Sequence, residues 1–366
     1  MNNLNNEKIC LLIPSLGPGG MERVMSELAC YFDKKENIEI HLILYGRSRK
    51  IFYSLPSSIH IHKPKFTFDN EKRTFHTLKT LFYLRRQIVS IDPDVILSFG
   101  EDWNNLVLLS NLGLNYPIYV SDRAQPGLKR NKFQELLRNL LYRKASGIII
   151  QTDIAKKIYK EKFPSQDVAS INNPIRDIQG NNISDVSNKT ILSVGRLIET
   201  KHFDLLIKMF AEIDLPGWKL IIVGGDSQKQ KGTKRLKNLI SELNIENKVT
   251  LTGTVSNVED YYKKSSIFAF TSSSEGFPNV IGEAMSAGLP VIAFDCVAGP
   301  AELIDDGENG YLVPLFEMDM YKEKLEKLMN NKELRLKMGK NSLAKVNEFS
   351  TDKIGEQYFK FIFEEG

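Results

Sequence analysis

Short runs of consecutive apolar residues alternate with longer amphipathic segments along all 366 residues, and this alternation constrains the fold more than any other feature. Strands that are apolar at successive positions are buried on both faces, as in parallel sheets covered by helices. The predicted strands are Lys8–Ile13, Glu39–Leu44, Asp94–Phe99, Ile118–Ser121, Gly147–Gln151, Val168–Ile171, Lys189–Val194, Lys219–Val223, Val249–Leu251, Ile267–Thr271, Pro290–Phe294 and Gly310–Val313. The predicted helices are Met21–Phe32, Phe75–Ile91, Asn131–Lys144, Asp153–Lys162, Phe203–Ile213, Lys234–Leu243, Val258–Lys264, Asn279–Ala287 and Met318–Met329. The sequence therefore predicts an α/β protein with two Rossmann-like, doubly wound domains.

The predicted domain boundary lies in residues 172–188, a segment rich in Asn, Asp, Ser and Gly that has no apolar period. We expect an N-terminal domain over residues 1–175 and a C-terminal domain over residues 176–351. A helix at about 352–366 can pack back on the first domain. Ligands of open parallel sheets bind outside the carboxyl ends of the strands, and two such sheets can face one another across a cleft.

The charge of the chain is uneven, because residues 1–180 have a net charge of +8 and residues 181–366 one of −4. The basic half can bind an anionic surface or ligand. Alternatively, the difference reflects solvent-exposed charges that have no binding role, which explains it equally well. No apolar run approaches the roughly 20 residues that cross a bilayer, and the amino terminus does not have the pattern of a signal peptide. Three scattered cysteines argue against a disulfide framework. We therefore expect a cytoplasmic protein.

A glycine-rich turn, Gly17 to Arg23, follows the first predicted strand and opens a helix. Exposed N–H groups at such a helix start favour an anion. The turn is neither a Walker A loop nor a GxGxxG motif, and a tight strand–helix connection explains it equally well.

Two cations lie five residues apart in the sequence VGRLIETK, directly after a predicted strand. Arg196, as a planar fork, and Lys201, as a point charge, can clamp a diphosphate. The alternative is an exposed loop with ordinary surface cations. The next strand ends in Val-Gly-Gly-Asp, where Gly224 and its neighbour would let a ligand lie against the sheet, beside Asp226.

The most specific motif is SEGFPNVIGEAMSAGLPVI, in which a strand leads through a Glu-Gly turn into a helix with Pro278 at its start. The helix ends at Gly288, with a proline two residues further on. Glu275 lies before the helix and Glu283 within it, so the two carboxylates reach different depths of one ligand site. They can accept hydrogen bonds from sugar hydroxyls while the helix N-terminus faces phosphate. The alternative role of Glu283 is to favour the helix dipole.

Together these motifs resemble those of the retaining glycosyltransferases of family 4, which have the two-Rossmann GT-B architecture. The resemblance runs over nearly the whole chain and is carried in order by GPGGMER, VGRLIETK, IIVGGD, EGFPNVIGE and AGPAELIDDGENGYLVP. It implies a hexosyltransferase that moves a hexosyl or N-acetylhexosaminyl unit from a nucleotide diphosphate sugar, with UDP as the expected nucleotide. The acceptor would be a growing glycan, which can be linked to a lipid diphosphate, in surface polysaccharide or glycoconjugate biosynthesis. The N-terminal domain would bind the acceptor and the C-terminal domain the donor.

The resemblance also assigns roles by position. Arg196 and Lys201 would bind the diphosphate, Glu275 would contact the donor sugar, and these three are the expected catalytic residues. Glu283 would hold the ribose hydroxyls. The other expected donor-binding residues are Gly19, Gly20, Gly224, Asp226, Val255, Gly276, Phe277, Pro278, Asn279 and Val280.

One position departs from the family pattern. Many members carry a histidine after the fourth strand of the first domain, where this chain has Asp122 and Arg123. We expect these two residues on the acceptor side, and the group that contacts the sugar or the acceptor is left open.

No metal and no other cofactor is expected. Asp92-Pro93-Asp94 spells the Asp-x-Asp of metal-dependent transferases, but it precedes a strand, and its proline indicates a helix-to-strand turn. With the diphosphate neutralised by Arg196, Lys201 and a helix end, a divalent metal is not required.

The stretch from Lys129 to Lys144 holds six cations and one acid, with leucines at helical spacing. The leucines can face the core, or the stretch can meet anionic lipid or a lipid-linked acceptor at the inner face of the membrane. Nucleic acid is not an expected partner, since no aromatic stacking platform or known binding motif is present.

Two functions remain as alternatives to a glycosyltransferase. They are a non-hydrolysing nucleotide-sugar epimerase and a non-catalytic two-lobed sugar-binding protein.

Overall fold

A computed structural model describes residues 6–47, 49–127, 131–178, 187–227 and 230–364. The chain divides into two compact units, one formed by Met1–Pro174 with Thr351–Gly366 and the other by Ile175–Ser350. Each unit contains one parallel sheet, which confirms the predicted α/β class with two Rossmann-like domains. Residues 179–186 of the expected boundary segment lie outside the described residues.

The first unit holds a seven-stranded sheet. Its strands are β1 (Glu7–Ile13), β2 (Ile38–Leu44), β3 (His60–His62), β4 (Val95–Phe99), β5 (Ile118–Ser121), β6 (Gly147–Ile150) and β7 (Val168–Ser170). Its helices before residue 175 are α1 (Gly20–Phe32), α2 (Arg73–Ile91), α3 (Glu101–Ser110), α4 (Lys132–Leu141) and α5 (Asp153–Lys162). The strand order is β3-β2-β1-β4-β5-β6-β7, and all neighbours pair in parallel.

The strand β1 shows why continuous apolar runs form these sheets. Successive side chains of a strand point to opposite faces. Leu11 packs in the apolar cluster that contains α1, and Leu12 packs in the cluster that contains residues of α2, α3 and α5. Both side chains are fully buried. Burial on both faces therefore requires an apolar residue at every position, as the sequence pattern predicted.

The second unit holds a six-stranded sheet. Its strands are β8 (Thr190–Val194), β9 (Lys219–Val223), β10 (Val249–Gly253), β11 (Ile267–Phe270), β12 (Val291–Asp295) and β13 (Gly310–Pro314). Its helices are α6 (Phe203–Glu212), α7 (Gly232–Glu242), α8 (Glu259–Lys263), α9 (Asn279–Ser286), α10 (Pro300–Leu303), α11 (Met318–Asn330) and α12 (Lys332–Val346). The strand order is β10-β9-β8-β11-β12-β13, again with parallel pairing.

The helix α13 (Thr351–Phe359) belongs to the first unit and packs on α1, and a π-helical turn (Lys360–Glu364) follows it. Gly355 permits this contact, because a Cβ there would lie 2.4 Å from Cγ of Tyr31. Lys35 Nζ forms an ion pair with Glu356 Oε2 at 2.6 Å, and the hydroxyl of Tyr31 donates to the same oxygen. The C-terminal residues thus complete the packing of the first unit.

Asp92 to Asp94 form a turn, as the sequence predicted. Asp92 ends α2 with a φ of 53°, and its carboxylate accepts a hydrogen bond from the Tyr116 hydroxyl at 2.9 Å. Asp94 Oδ2 accepts from the backbone N–H of Lys8 at 2.7 Å. Both carboxylates therefore fasten the connection between α2 and β4.

Each sheet has a switch point, which is the position where the order of its strands reverses. This point lies between β1 and β4 in the first unit and between β8 and β11 in the second. Ligands of open α/β sheets bind beside the carboxyl ends of the strands at such a point. A ligand site is therefore expected at the loops that follow these four strands.

Candidate active site

The loop after β8 is fastened to the end of β11. The Thr271 hydroxyl donates to the carbonyl oxygen of Lys201 at 2.8 Å, and the Ser272 hydroxyl donates to that of Thr200 at 3.1 Å. Lys201 ends a short 3₁₀ turn in this loop. The exposed Arg196 side chain makes no hydrogen bond or ion pair with another residue of the described ranges. One cation is thus held in position, and the other is accessible.

Lys201 and Glu275 meet at this switch point. Lys201 Nζ forms an ion pair with Glu275 Oε1, and the two side chains are 16% and 15% exposed. The ammonium also lies 5.3 Å from the centre of the Phe270 ring at the end of β11. The structure therefore brings together two predicted site residues that are 74 positions apart in the chain.

Gly224 and Gly225 allow the loops after β8, β9 and β10 to stack. Gly224 has a φ of 151°, and a Cβ there would lie 1.8 Å from the carbonyl oxygen of Gly195. A Cβ at Gly225 would lie 2.4 Å from the hydroxyl oxygen of Thr254. The Gly224 N–H donates to the Gly253 carbonyl at 3.1 Å. These glycines thus permit the close approach of neighbouring loops, and the role of Gly224 toward a ligand stays a prediction.

Asp226, a predicted donor-binding residue, fastens the start of α7. Its exposed carboxylate accepts from the N–H and the hydroxyl of Thr233 at 2.7 and 2.9 Å. These hydrogen bonds lower the pKa of Asp226 below its usual value. The contacts give this carboxylate a structural task, and its role toward a donor stays a prediction.

The helix α9 begins after Pro278, whose side chain makes no capping hydrogen bond. Phe277 and Pro278 are buried, whereas Gly276, Asn279 and Val280 are partly exposed. The ring of Phe277 lies in the apolar cluster beneath the helix, so its contribution to a ligand site would come from its backbone. The half-buried Val255 packs against the same cluster.

Glu283 lies in the second turn of α9. Its Oε2 accepts a hydrogen bond at 2.9 Å from the hydroxyl of Tyr262, a fully buried residue of α8. This tyrosine was not recognised in the sequence, because it lies 21 positions away and has the appearance of an ordinary core residue. The hydrogen bond fixes the direction of a carboxylate that the sequence assigned to sugar hydroxyls.

These groups form a surface suited to an anion that carries hydroxyl groups. Two cations and the positive end of α9 attract a phosphate, and the two carboxylates accept hydrogen bonds. Burial raises the pKa of the nearby Cys296 thiol to about 11, which favours the protonated thiol at neutral pH.

The predicted anion-binding turn of the first unit lies directly before α1. The Gly19 N–H donates to the Tyr53 hydroxyl at 3.2 Å, and that hydroxyl donates to the Gly19 carbonyl at 2.9 Å. A Cβ at Gly19 would lie 2.3 Å from Glu22 Oε2. The carboxylate of Glu22 therefore lies at the helix start, where Gly19 and Gly20 were expected to meet a diphosphate. That role of the two glycines stays a prediction.

Asp122 is a buried member of a polar network. Its Oδ1 accepts from the Tyr142 hydroxyl at 2.6 Å and from Asn104 Nδ2 at 3.0 Å, and its Oδ2 accepts from the Tyr159 hydroxyl. Burial raises the pKa of Asp122 to about 6, although Arg138 Nη1 lies 3.8 Å from Oδ2. The residue is 4% exposed, and its contact with an acceptor stays a prediction.

Arg123 is partly exposed, and its side chain contacts residues from three separate parts of the first unit. Its guanidinium donates to Asn173 Oδ1 at 2.6 Å and to the Tyr358 hydroxyl of α13 at 2.9 Å. It also lies 4.5 Å from the centre of the Phe99 ring. Its Nε is buried without a partner among the described residues. Contact between Arg123 and an acceptor stays a prediction.

Two parallel sheets, each with a switch point, define an α/β protein with Rossmann-like domains. Residues 175–345 match the family model of glycosyl transferases group 1, and residues 18–177 match that of glycosyltransferase family 4. The chain belongs to the family 4 glycosyltransferases and has the GT-B fold, as its motifs predicted.

Relatives match this chain over nearly its full length. An uncharacterized glycosyltransferase of Haemophilus influenzae is 30% identical, covering 96% of this chain and 99% of that protein. The GalNAc-α-(1→4)-GalNAc-α-(1→3)-diNAcBac-PP-undecaprenol α-1,4-N-acetyl-D-galactosaminyltransferase of Campylobacter jejuni is 26% identical over 98% of both chains. The solved structure of Anabaena HepE in complex with UDP has a TM-score of 0.76 at 19% identity, covering 97% of this chain and 99% of that chain.

Helices α2 and α4 carry exposed apolar side chains. Within the basic stretch, Leu137 and Leu141 pack against the core, whereas Leu136 and Leu140 are 56% and 59% exposed. The core-facing role is therefore confirmed for two of these leucines, and contact of the stretch with lipid or a lipid-linked acceptor stays a prediction. Lys129 and Arg130 lie outside the described residues. In the described ranges, every helix is too short or too polar to span a bilayer.

Proposed function

We propose that this glycosyltransferase retains the configuration of the transferred sugar and takes a hexosyl or N-acetylhexosaminyl unit from a UDP-linked donor. The observation that carries the proposal is the ion pair of Lys201 and Glu275 beside the accessible Arg196, at the switch point of the second sheet. The UDP in the solved Anabaena structure supports the choice of nucleotide.

In the proposed reaction, the bond between C1 of the sugar and the β-phosphate oxygen breaks, and the bonding electrons remain on the leaving diphosphate. Arg196, Lys201 and the N-terminus of α9 stabilise this charge. A diphosphate oxygen accepts the proton of the acceptor hydroxyl, whose oxygen forms the new bond to C1 on the same face. Glu275 orients the sugar as a hydrogen-bond acceptor, and Glu283 holds the ribose. Two side-chain cations supply the neutralisation that a divalent metal would otherwise give, so the proposed reaction is metal-independent.

The proposed acceptor is a glycan linked to a lipid diphosphate. The Campylobacter relative is named for such a substrate, an undecaprenol diphosphate glycan. The net charge of +8 on residues 1–180 and the exposed leucines of α4 also suit an anionic lipid surface. In this proposal the first unit binds the acceptor and the protein works at the cytoplasmic face of the membrane.

The test incubates the protein with labelled UDP-sugars, with and without lipid-diphosphate glycans. We expect transfer only when an acceptor is present, an α-linked product from an α-linked donor, and unchanged rates in EDTA. A product of inverted configuration would overturn the retaining mechanism. Loss of activity in EDTA with rescue by Mn²⁺ would overturn metal independence. Conversion of the donor sugar without any acceptor would identify an epimerase.

A further inference from the structure

A cavity of about 790 Å³ lies in the first unit, at the carboxyl end of β2 and among α2, α3 and α4. Its size falls in the range of roughly 300–1,000 Å³ that is usual for small-molecule sites. Trp103, Leu106 and Leu109 of α3 line it together with Phe133 and Leu137 of α4. The cavity therefore has a largely apolar wall of aromatic and leucine side chains, and the candidate active site does not include any of these residues.

An exposed apolar surface continues from this cavity. Phe133, Leu136 and Leu140 of α4 are 63%, 56% and 59% exposed, and their spacing of three and four places them on one helix face. Phe133 belongs both to this face and to the cavity wall. The helix α2 carries a separate exposed stripe of Phe75, Leu78 and Phe82, on the face opposite its cavity-lining residues. Contiguous exposed apolar surface of this kind marks a binding site for an apolar partner.

Two guanidinium groups also line the cavity. Arg47 and Arg73 are exposed, and neither makes a hydrogen bond or ion pair with a residue in the described part of the chain. Arginine forks match phosphate oxygens. Asp102 is the one acid among the lining residues, which leaves an excess of positive charge. The cavity thus combines an apolar wall with accessible phosphate-binding groups.

The polar side chain of Asn105 is built into the wall. It is 3% exposed, and its Nδ2 donates to the carbonyl oxygen and to Oε1 of Gln134, which ties α3 to α4. Its Oδ1 is buried without a hydrogen-bond partner among the described residues. The wall between the two helices is therefore fixed before a ligand arrives.

We propose that this cavity binds a single long apolar chain that ends in a phosphate or diphosphate, with the chain against Trp103 and the leucines and the phosphate at Arg47 and Arg73. This chemistry describes the lipid end of the proposed acceptor, and the identification of the ligand as the acceptor rests on the proposed function. The exposed face of α4, which shares Phe133 with the cavity wall, gives the chain an apolar path out of the cavity.

Trp103 reports on the cavity directly. The other tryptophan, Trp218, is 4% exposed in the second unit, so Trp218→Phe leaves a single reporter. We expect farnesyl diphosphate to shift Trp103 emission to the blue and to protect it from acrylamide. Farnesol should bind at least tenfold more weakly, and inorganic pyrophosphate should leave the emission unchanged. If Trp218→Phe fails to fold, acrylamide quenching of the native chain can be measured instead. Because Trp218 is buried, acrylamide quenches mainly Trp103 in that chain.

Two matched pairs of variants locate the binding. Arg73→Ala should weaken farnesyl diphosphate binding about tenfold, whereas Arg86→Ala, on the same helix outside the cavity, should not change it. Leu106→Arg should abolish binding, whereas Leu112→Arg at an exposed position should not.

The fluorescence assay needs no donor sugar, so its result stays valid even if the proposed transfer reaction fails. No Trp103 response to farnesyl diphosphate would overturn the proposal, as would a response only to phosphatidylglycerol vesicles, which would assign the surface to the bilayer itself.

Discussion

Lys201 and Glu275 form an ion pair in which neither partner is fully buried and neither is freely exposed. The lysine reaches the pair from the loop after β8 and the glutamate from the loop after β11, so the pair joins the two strands between which the sheet order reverses. An ammonium group has three N–H donors, and the pair uses one of them. Lys201 can therefore hold Glu275 and a diphosphate oxygen at the same time.

Replacing Lys201 with alanine should lower kcat/KM by on the order of 10²–10³, the usual loss for one preorganised charge-stabilising group. The free energy of unfolding should fall by only about 1 kcal/mol, because the pair is partly solvated. Lys208→Ala, at an exposed position of α6, is the matched control and should keep the native rate. Steady-state kinetics with a UDP-sugar and thermal unfolding measure the two effects. A native rate in Lys201→Ala would remove the lysine from the reaction.

Alanine substitutions at Gly224 and Gly253 test whether the close packing of the loops after β8, β9 and β10 is needed for the candidate active site. Both have positive φ, but only at Gly224 would a Cβ collide with another backbone atom, and at Gly253 it would meet open space. Gly224→Ala should therefore cost about 3 kcal/mol of folding free energy and weaken UDP binding. Gly253→Ala should cost about 1 kcal/mol and leave UDP binding intact. Chemical denaturation and calorimetric titration with UDP distinguish them, and equal effects would contradict the steric explanation.

The sequence predicted the sheets well, because a strand that is buried on both faces has apolar residues at successive positions. It failed for α3, where the buried positions include Asn104 and Asn105. Asn104 is hydrogen-bonded to Ser98 and Asp122, so its burial depends on partners distant in the chain. Polar residues at core positions conceal the apolar period that identifies a helix. The edge strand β3 was also missed, because its residues are exposed or half-buried and so form no apolar run.

The residues of the candidate site could be found from motifs, but their partners could not. That Tyr262 holds Glu283, or that Glu22 covers the start of α1, depends on how the chain folds back on itself. Similarly, Asp122 was expected at an acceptor because of its position after a strand. Its burial among two tyrosines and an asparagine follows only from the packing of α3, α4 and α5 around that strand end.

Tyr262→Phe should raise the KM for the donor several-fold with a smaller change in kcat. The phenyl ring keeps the packing of a fully buried side chain, but Glu283 loses the hydrogen bond at 2.9 Å that fixes its direction. A ground-state contact to ribose would then weaken without loss of charge stabilisation at the diphosphate. Tyr261→Phe is the matched control on the same helix. Should kcat fall as far as kcat/KM while KM stays constant, Glu283 would act in the transition state instead.

Asp122→Asn should change how stability depends on pH. The folded pKa of Asp122 is raised to about 6, above the unfolded value of roughly 3.9. Its contribution to stability is therefore fully present below pH 4 and is lost as the pH rises through 6. The difference in melting temperature between the native chain and Asp122→Asn should shift in favour of the native chain as the pH is lowered from 7 to 5. A difference that is constant over this range would contradict the raised pKa.

His41 and His62, at the edge of the first sheet, should give stability the opposite dependence on pH. His41 stacks between His60 and His62, with ring centres 5.0 and 5.3 Å away, and its Nδ1 lies 3.1 Å from His62 Nε2. Burial lowers the pKa of His41 and of His62, although Glu39, at 2.9 Å from His41 Nε2, opposes the shift of His41. The unfolded chain then binds more protons than the folded one below about pH 6.5, so stability falls as the pH drops through that value.

The double variant His41→Asn/His62→Asn should remove this loss. Thermal unfolding of the native chain and the variant from pH 8 to pH 5 isolates the histidine contribution as their difference, because Asp122 is present in both. We expect the native chain to lose melting temperature relative to the variant below about pH 6.5 and to match its slope above pH 7.5. Since the cluster lies on β2 and β3, its protonation should loosen this sheet edge first. Hydrogen exchange of the β3 amides at pH 5.5 should be faster in the native chain than in the variant, and equal exchange would show that the histidines stay neutral or are tolerated when charged.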